Sequence, residues 1–426
     1  MGKMIIESAR LGGSVSAPPS KSLSHRIMIA AALSQGQSII KGIKESVDIR
    51  ATKTCLETLG AEIDFYENEM KINGMGRPTA LKDTTMFCEE SGSTLRFMIP
   101  ITALSGQFAC FEGKGKLKTR PIDPYFSIFD QSRIEYTYDG HLPLTIKGTL
   151  KSGVYELPGH ISSQFVTGLL MSLPLLEGDS TIRMTSKLES RDYVDLTIDV
   201  MAMFGVEVDN HNYEFFEIKG SQAYMARPVR VEGDYSQMAF WAVAGCIGSD
   251  PIVIENTSEE TRQGDSRIFK IIEEMGGRVE YKENSITVHP SQTHNVKINV
   301  SEIPDLVPIL AVLGSLSLGT MHIYGGERVR LKESDRLNAI ATEINKIGGQ
   351  IEETPDGLII KGVTSLQGGR VEGWNDHRIV MAMAIAAISC SEKLTIEGWE
   401  AINKSYPEFF KDYQKLGGVV SEWNMG

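Results

Sequence analysis

Lys21, Ser22 and Arg26 stand together in the phrase PPSKSLSHR, where Pro18-Pro19-Ser20 reads as the entry to a helix. A helix start presents free N–H groups and the positive end of its dipole, so cations placed there are electrostatically misplaced unless an anion binds. Ser22 and Arg26, four residues apart, share a helix face and can converge on one ligand. A capping serine flanked by solvated cations is the plainer alternative. Other helix starts repeat the theme. Ser91-Gly92-Ser93-Thr94-Leu95-Arg96 sets an arginine in the first turn beside a glycine that permits close backbone approach. His160-Ile161-Ser162-Ser163-Gln164 offers hydroxyl and amide donors, and Asn375-Asp376-His377-Arg378 again carries a first-turn arginine. Loops add Arg120 in KTRPIDP, Arg191 in ESRDYVD, Lys332 and Arg336 in RLKESDR, and Lys404 in NKSYPEFF. Singly these are solvated surface charges, and their number matters only if they converge.

Two carboxylates stand against this basic background. Asp305 follows Ile303-Pro304 at a helix start, where end stabilisation is its plain role. Glu333 lies between Lys332 and the Asp335-Arg336 pair, where an ion-pair network is the plain role. Either serves general acid/base chemistry if its environment tunes it toward neutral pH. A protein that merely binds anions gains nothing from buried carboxylates, which favours catalysis over a passive anion-binding scaffold.

The elements that must position these residues recur. LGAEIDFYENEMKING from Leu59, FGVEVDNHNYEFFEIKG from Phe204, MGGRVEYKENSITVHP from Met275, IGGQIEETPDGLIIKG from Ile347 and a truncated LGGVVSEW from Leu416 share one pattern, and SRIEYTYDGHLPLTIKG from Ser132 is a degenerate copy. Their interval is about 70 residues. Apolar helices starting near Ser20, Ser93, Ser162, Asp234, Asp305 and Asn375 keep the same beat. Each unit reads as strand, buried helix, strand, amphipathic helix and hairpin. The run IVMAMAIAAI from Ile379 is apolar all round, so it belongs inside a domain with the sheets outside. Six units divide into two groups of three, crossing at Pro18-Pro19 and Glu232-Gly233. The expected domains are residues 20–231, and residues 1–19 with 232–426, joined by a two-strand hinge. A continuous solenoid would need atypical capping units, and none is evident in the sequence.

A chain of 426 residues with 41% hydrophobic and 23% charged residues is too long for one core and ordinary for a globular protein. Its formal net charge of -12 disfavours nucleic acid as partner, so cations that meet an anionic ligand must be gathered locally. The five cysteines are scattered without a CxxC pair, which argues against a disulfide framework or a zinc site. No apolar run spans a bilayer or forms a signal peptide, so a cytoplasmic protein is expected.

PPSKSLSHR, SGSTLRF, KTRPID, ISSQFVTGLL, VRLKESDRL, NDHRIVMA and NKSYPEF follow the order and spacing of the enolpyruvyl transferase family, which the chain resembles over essentially its whole length. The resemblance implies an α/β fold of the inside-out barrel type, with two similar domains each of three βαβαββ repeats, in keeping with the repeat count. It also implies the branch acting on shikimate 3-phosphate and phosphoenolpyruvate, within the synthesis of chorismate and aromatic amino acids. By motif, Lys21, Ser22, Arg26, Ser162, Ser163, Gln164, Ser190, Asp305 and Lys332 would bind shikimate 3-phosphate. Lys21, Gly92, Arg120, Gln164, Arg336, Arg378 and Lys404 would hold phosphoenolpyruvate. The implied reaction is addition followed by elimination. Glu333 handles the methylene proton, Asp305 acts as base toward the 5-hydroxyl, and Lys21 steadies the departing phosphate.

No metal or other cofactor is implied, no nucleic acid or membrane partner, and the chain is expected to be a monomer open to glyphosate at the phosphoenolpyruvate site. Two departures from the family pattern stand out: Cys88-Glu89-Glu90 before Ser91-Gly92, and Arg191-Asp192 before Tyr193. The rival branch, acting on UDP-N-acetylglucosamine, carries a reactive cysteine in the loop that here reads Gly113-Lys114-Gly115-Lys116-Leu117-Lys118-Thr119, and Cys110 sits too early for that role.

Overall fold

The computed structural model describes residues 2–423. The chain forms two compact units, one from Pro19–Glu232 and the other from residues 1–18 with 233–426. The first unit holds α1 (Lys21–Ala32), α2 (Val47–Thr58), α3 (Gly92–Ala103), α4 (Phe126–Ser132), α5 (Ser163–Ser172) and α6 (Arg191–Met203). The second holds α7 (Tyr235–Ile247), α8 (Arg267–Glu274), α9 (Val307–Ser315), α10 (Arg336–Lys346), α11 (His377–Ala386) and α12 (Phe409–Lys415). Helices α1, α3 and α5 in one unit, and α7, α9 and α11 in the other, are buried on nearly every face. Between them come half-buried helices such as α8, which turns Ile268, Phe269, Ile271 and Ile272 inward and its charges outward.

The six sheets share one topology. Thr85–Phe87 runs parallel to Ala109–Glu112, which pairs antiparallel with Leu144–Lys147, itself antiparallel to Glu135–Thr137. Three sheets depart in where their strands come from. Gly13–Ser16 precedes α1 in sequence yet pairs with Ile252–Glu255 of the second unit. Pro228–Arg230 precedes α7 yet pairs with Ser34–Lys41 of the first. In the third case Lys3–Glu7 lies between Leu394–Glu397 and Val419–Trp423, supplying the strand that the truncated LGGVVSEW copy lacks.

The repeated glycines have two physical causes. Gly60, Gly205, Gly276, Gly348 and Gly417 end the amphipathic helices with φ of 115°, 84°, 92°, 92° and 102°, a conformation that side chains resist. In the degenerate copy Arg133 takes that left-handed position, at φ 58°. At the close of the hairpins, a Cβ on Gly74, Gly220 or Gly362 would meet a carbonyl oxygen at 2.2, 2.4 or 1.7 Å. The carbonyls belong to Ser34, Gly178 and Ser317, so sheet and helix end approach too closely for any side chain.

Three helix starts differ from the sequence expectation. Ser91, not Ser93, caps α3, and Asp376, not Asn375, caps α11, because their side chains accept from Thr94 N and Arg378 N. Asp305 lies in a 3-10 turn, Pro304–Leu306, ahead of α9. Among the described residues no helix is long and apolar enough to cross a membrane.

Candidate active site

In the first unit, Ser20, Ser91 and Ser162 cap α1, α3 and α5. The Lys21 Nζ lies 3.0 Å from Asp48 Oδ2 in the first turn of α2. Arg26 is buried, donating from Nε to Thr197 Oγ1 at 2.8 Å, from Nη1 to the Ser22 carbonyl at 2.8 Å and from Nη2 to the Tyr193 carbonyl at 3.0 Å. Burial brings its pKa down to about 10, with Tyr193 acting in the opposite sense. Arg26 thus bonds the Ser22 backbone carbonyl and, through Thr197, Tyr193 and Thr167 Oγ1 at 3.4 Å, ties α1 to α6 and α5. His25 is also buried, with Nδ1 2.7 Å from Thr52 Oγ1. Burial first, then Lys21 and Arg26, hold its pKa well below the usual range, so it serves as a neutral hydrogen-bonding group.

Gln164, at the first turn of α5, donates to Ser93 Oγ at 2.8 Å and accepts from Arg96 Nη1 at 2.8 Å. Arg96, a first-turn arginine that the motif assignment passed over, also donates to the Pro121 carbonyl at 3.0 Å. Arg96 therefore links α3, α5 and the segment carrying Arg120. Gly92 has a definite reason to be glycine: a Cβ there would lie 2.5 Å from Arg120 Nη1 and 2.7 Å from its Cζ. Ser163 is buried at the head of α5, and Ser190 is buried in a left-handed conformation, φ 53°, just before α6.

In the second unit Arg336 is 1% exposed and binds three carboxylates. Its Nη1 meets Asp305 Oδ1 at 2.8 Å, its Nη2 meets Glu333 Oε2 at 2.7 Å, and its Nε meets Asp376 Oδ2 at 2.8 Å. Burial works against the charge, but Asp376, Glu333 and Asp305 outweigh it and hold the guanidinium above its usual range. Asp305 is shared further, with Arg378 Nη2 at 3.0 Å and Lys332 Nζ at 3.4 Å. Loss of solvent pushes Lys332 down to about 8; Asp305 pulls it up and Arg336 pushes it down again. Lys404 Nζ donates to the Asn375 carbonyl at 2.6 Å, beside the cap of α11.

The second-unit residues predicted from sequence therefore form one connected cluster, apart from Lys404, which is tied to the same helix start. Glu333 does enter an ion pair, with Arg336, while Asp335 lies outside this cluster. Asp335 caps α10 and bonds Arg330 at 3.0 Å, which leaves Arg336 to the other carboxylates. Motif reading also missed Asp376 and Glu343. Both are fully buried, and Glu343 accepts from Trp374 Nε1 at 2.6 Å and Glu372 N at 3.0 Å. The signal for Asp376 was its N-cap position; Glu343 gave none beyond lying on the inward face of α10. Among the described residues no group of three or more His, Cys, Asp and Glu side chains is arranged to hold a metal ion.

Comparison with known proteins identifies the family. A family model described as EPSP synthase (3-phosphoshikimate 1-carboxyvinyltransferase) matches residues 5–413. A 3-phosphoshikimate 1-carboxyvinyltransferase of Clostridium novyi is 49% identical over 98% of both chains. One of Clostridioides difficile is 45% identical over 100% of both. Among solved structures, an EPSP synthase of Acinetobacter baumannii superposes with TM-score 0.84 at 24% identity over 100% of both chains. The enolpyruvyl transferase NikO of Streptomyces tendae gives 0.80 at 16% identity, over 100% of this chain and 99% of its own. These two carry the fold, the two-domain inside-out α/β architecture. With matches spanning its length in sequence and in fold, the chain belongs to the EPSP synthase family.

Proposed function

We propose that the chain performs its family's reaction, moving the enolpyruvyl group of phosphoenolpyruvate to the 5-hydroxyl of shikimate 3-phosphate with release of phosphate. Ser22, Arg26, Ser162, Ser163, Gln164, Ser190, Asp305 and Lys332 bind shikimate 3-phosphate. Gly92, Arg120, Gln164, Arg336, Arg378 and Lys404 bind phosphoenolpyruvate, and Lys21 serves both.

The observation that carries this reading is the sharing of Asp305 and Glu333 by Arg336, at 2.8 and 2.7 Å. The guanidinium fork occupies oxygens of both carboxylates assigned to proton transfer. A substrate carboxylate or phosphate competes for the same fork, and does so bidentately. Anion binding then releases the two carboxylates at the moment the substrates are in place. Once released, Glu333 takes up a proton from solvent and delivers it to the methylene carbon, the 5-hydroxyl oxygen adds to C2, and Asp305 takes the hydroxyl proton. In the second half Glu333 recovers a methyl proton while the bond from C2 to the phosphate oxygen breaks; the hydroxyl proton held by Asp305 passes to the departing phosphate, with Lys21 offsetting the charge that leaves.

The test is phosphate release by the purified protein with both substrates, run beside UDP-N-acetylglucosamine as alternative acceptor. Turnover with shikimate 3-phosphate is expected, and Glu333→Gln should lower kcat by about a hundredfold or more. Release with UDP-N-acetylglucosamine alone would overturn the acceptor, and an active Glu333→Gln would overturn the proton assignment.

A further inference from the structure

Of the six buried-helix starts, the one at Asp234 has no part in the site described so far. Its first turn nevertheless reaches one phosphoenolpyruvate cation, Arg378, and the sequence neighbour of another, Lys404. Asp234 caps α7 by accepting from Gln237 N at 3.1 Å. The Ser236 hydroxyl donates its single proton to Asp234 Oδ1 at 2.6 Å, so its lone pairs are what it presents to Arg378 Nη2, 2.9 Å away. The Ser236 carbonyl accepts from Arg378 Nη1 at 3.4 Å. One residue on, Gln237 Nε2 donates to Ser405 Oγ at 2.6 Å, next to Lys404 in sequence. Ser236, Gln237, Arg378 and Lys404 are all buried, so these bonds form away from competing water.

We infer that the first turn of α7 is a positioning element for phosphoenolpyruvate binding, in which Ser236 aims Arg378 and Gln237 fixes the segment bearing Lys404. This rests on the proposed function above. The chemistry explains why uncharged groups do it. Asp305 also holds Arg378, but as an anion it competes with the substrate and must yield. Ser236 can keep its bond to the guanidinium while an anion is bound, because a hydroxyl oxygen adds no net negative charge beside it. Arg378 thus keeps its orientation through the exchange of its charged partner.

Steady-state phosphate release tests this on the intact chain, with both substrates varied. Ser236→Ala should raise KM for phosphoenolpyruvate about tenfold, leaving KM for shikimate 3-phosphate within about twofold. Gln237→Met, close in size but without the amide donor, should raise the same KM about threefold. Ser236→Thr keeps the hydroxyl and should return KM for phosphoenolpyruvate most of the way to the parent value. An unchanged KM in Ser236→Ala overturns the inference. So does a parallel rise in both KM values together with a lower melting temperature in Ser236→Ala and Ser236→Thr alike, since that marks a helix-end defect. Failure of the parent protein to turn over the two substrates is a different result, and it overturns the proposed function itself.

Discussion

At the scale of single residues, function rests on which partner each charge holds. A methyl at Gly92 would overlap the end of Arg120, a flexible side chain that can move aside. Gly92→Ala should therefore fold, displace the guanidinium and raise KM for phosphoenolpyruvate about tenfold or more, with a smaller change for shikimate 3-phosphate. Lys332, brought down to about 8, gives a pH signature. Below that pH the ammonium is charged and attracts the phosphorylated substrate; as pH rises through it, the charge and the attraction are lost. kcat/KM for shikimate 3-phosphate should fall above about pH 8 in the parent, and Lys332→Arg, which stays charged, should move the break upward by about one unit or more. Sequence marked Lys332 and Gly92 by motif. It could not show that Arg26 spends its donors on Thr197, Ser22 and Tyr193, because those partners lie up to 171 residues away in sequence.

At the scale of elements, the repeat was legible because backbone geometry imposes the same glycine at the same point of each unit. Gly276 and Gly348 sit at identical φ of 92°, and Arg133 shows that the degenerate copy keeps the turn after losing the glycine. Arg133→Gly should relieve that strain and stabilise the first unit by about 0.5–1 kcal/mol, read as a higher melting temperature. Gly362→Ala should act in the opposite direction. Its Cβ would fall 1.7 Å from the Ser317 carbonyl, where backbone and not a side chain must give way. A loss of about 1–3 kcal/mol or more is expected, measured by chemical denaturation. Helix starts were less legible: Ser91 and Ser93 are equally good caps by type, and only the hydrogen bond to Thr94 N distinguishes them. The role of Ser236 and Gln237 was hidden for the same reason, since neither type nor spacing reports a partner on another repeat.

At the scale of the whole molecule, the two units differ in how the chain builds them. Every strand of the Pro19–Glu232 unit lies within that stretch, and its apolar core is its own. Expressed alone, residues 19–232 should fold and melt cooperatively by circular dichroism. Residues 233–426 lack the strands Gly13–Ser16 and Lys3–Glu7 and should stay unfolded until a peptide of residues 1–18 is added. Failure of that peptide to restore structure would show that the borrowed strands are dispensable. The placement of Lys3–Glu7 between Leu394–Glu397 and Val419–Trp423 also sets a timetable for biosynthesis. This strand is made long before either of its neighbours, a wait of roughly 20–80 s at ordinary translation rates. Any binder that grips this nascent segment during that wait would block completion of the second unit while leaving the first intact.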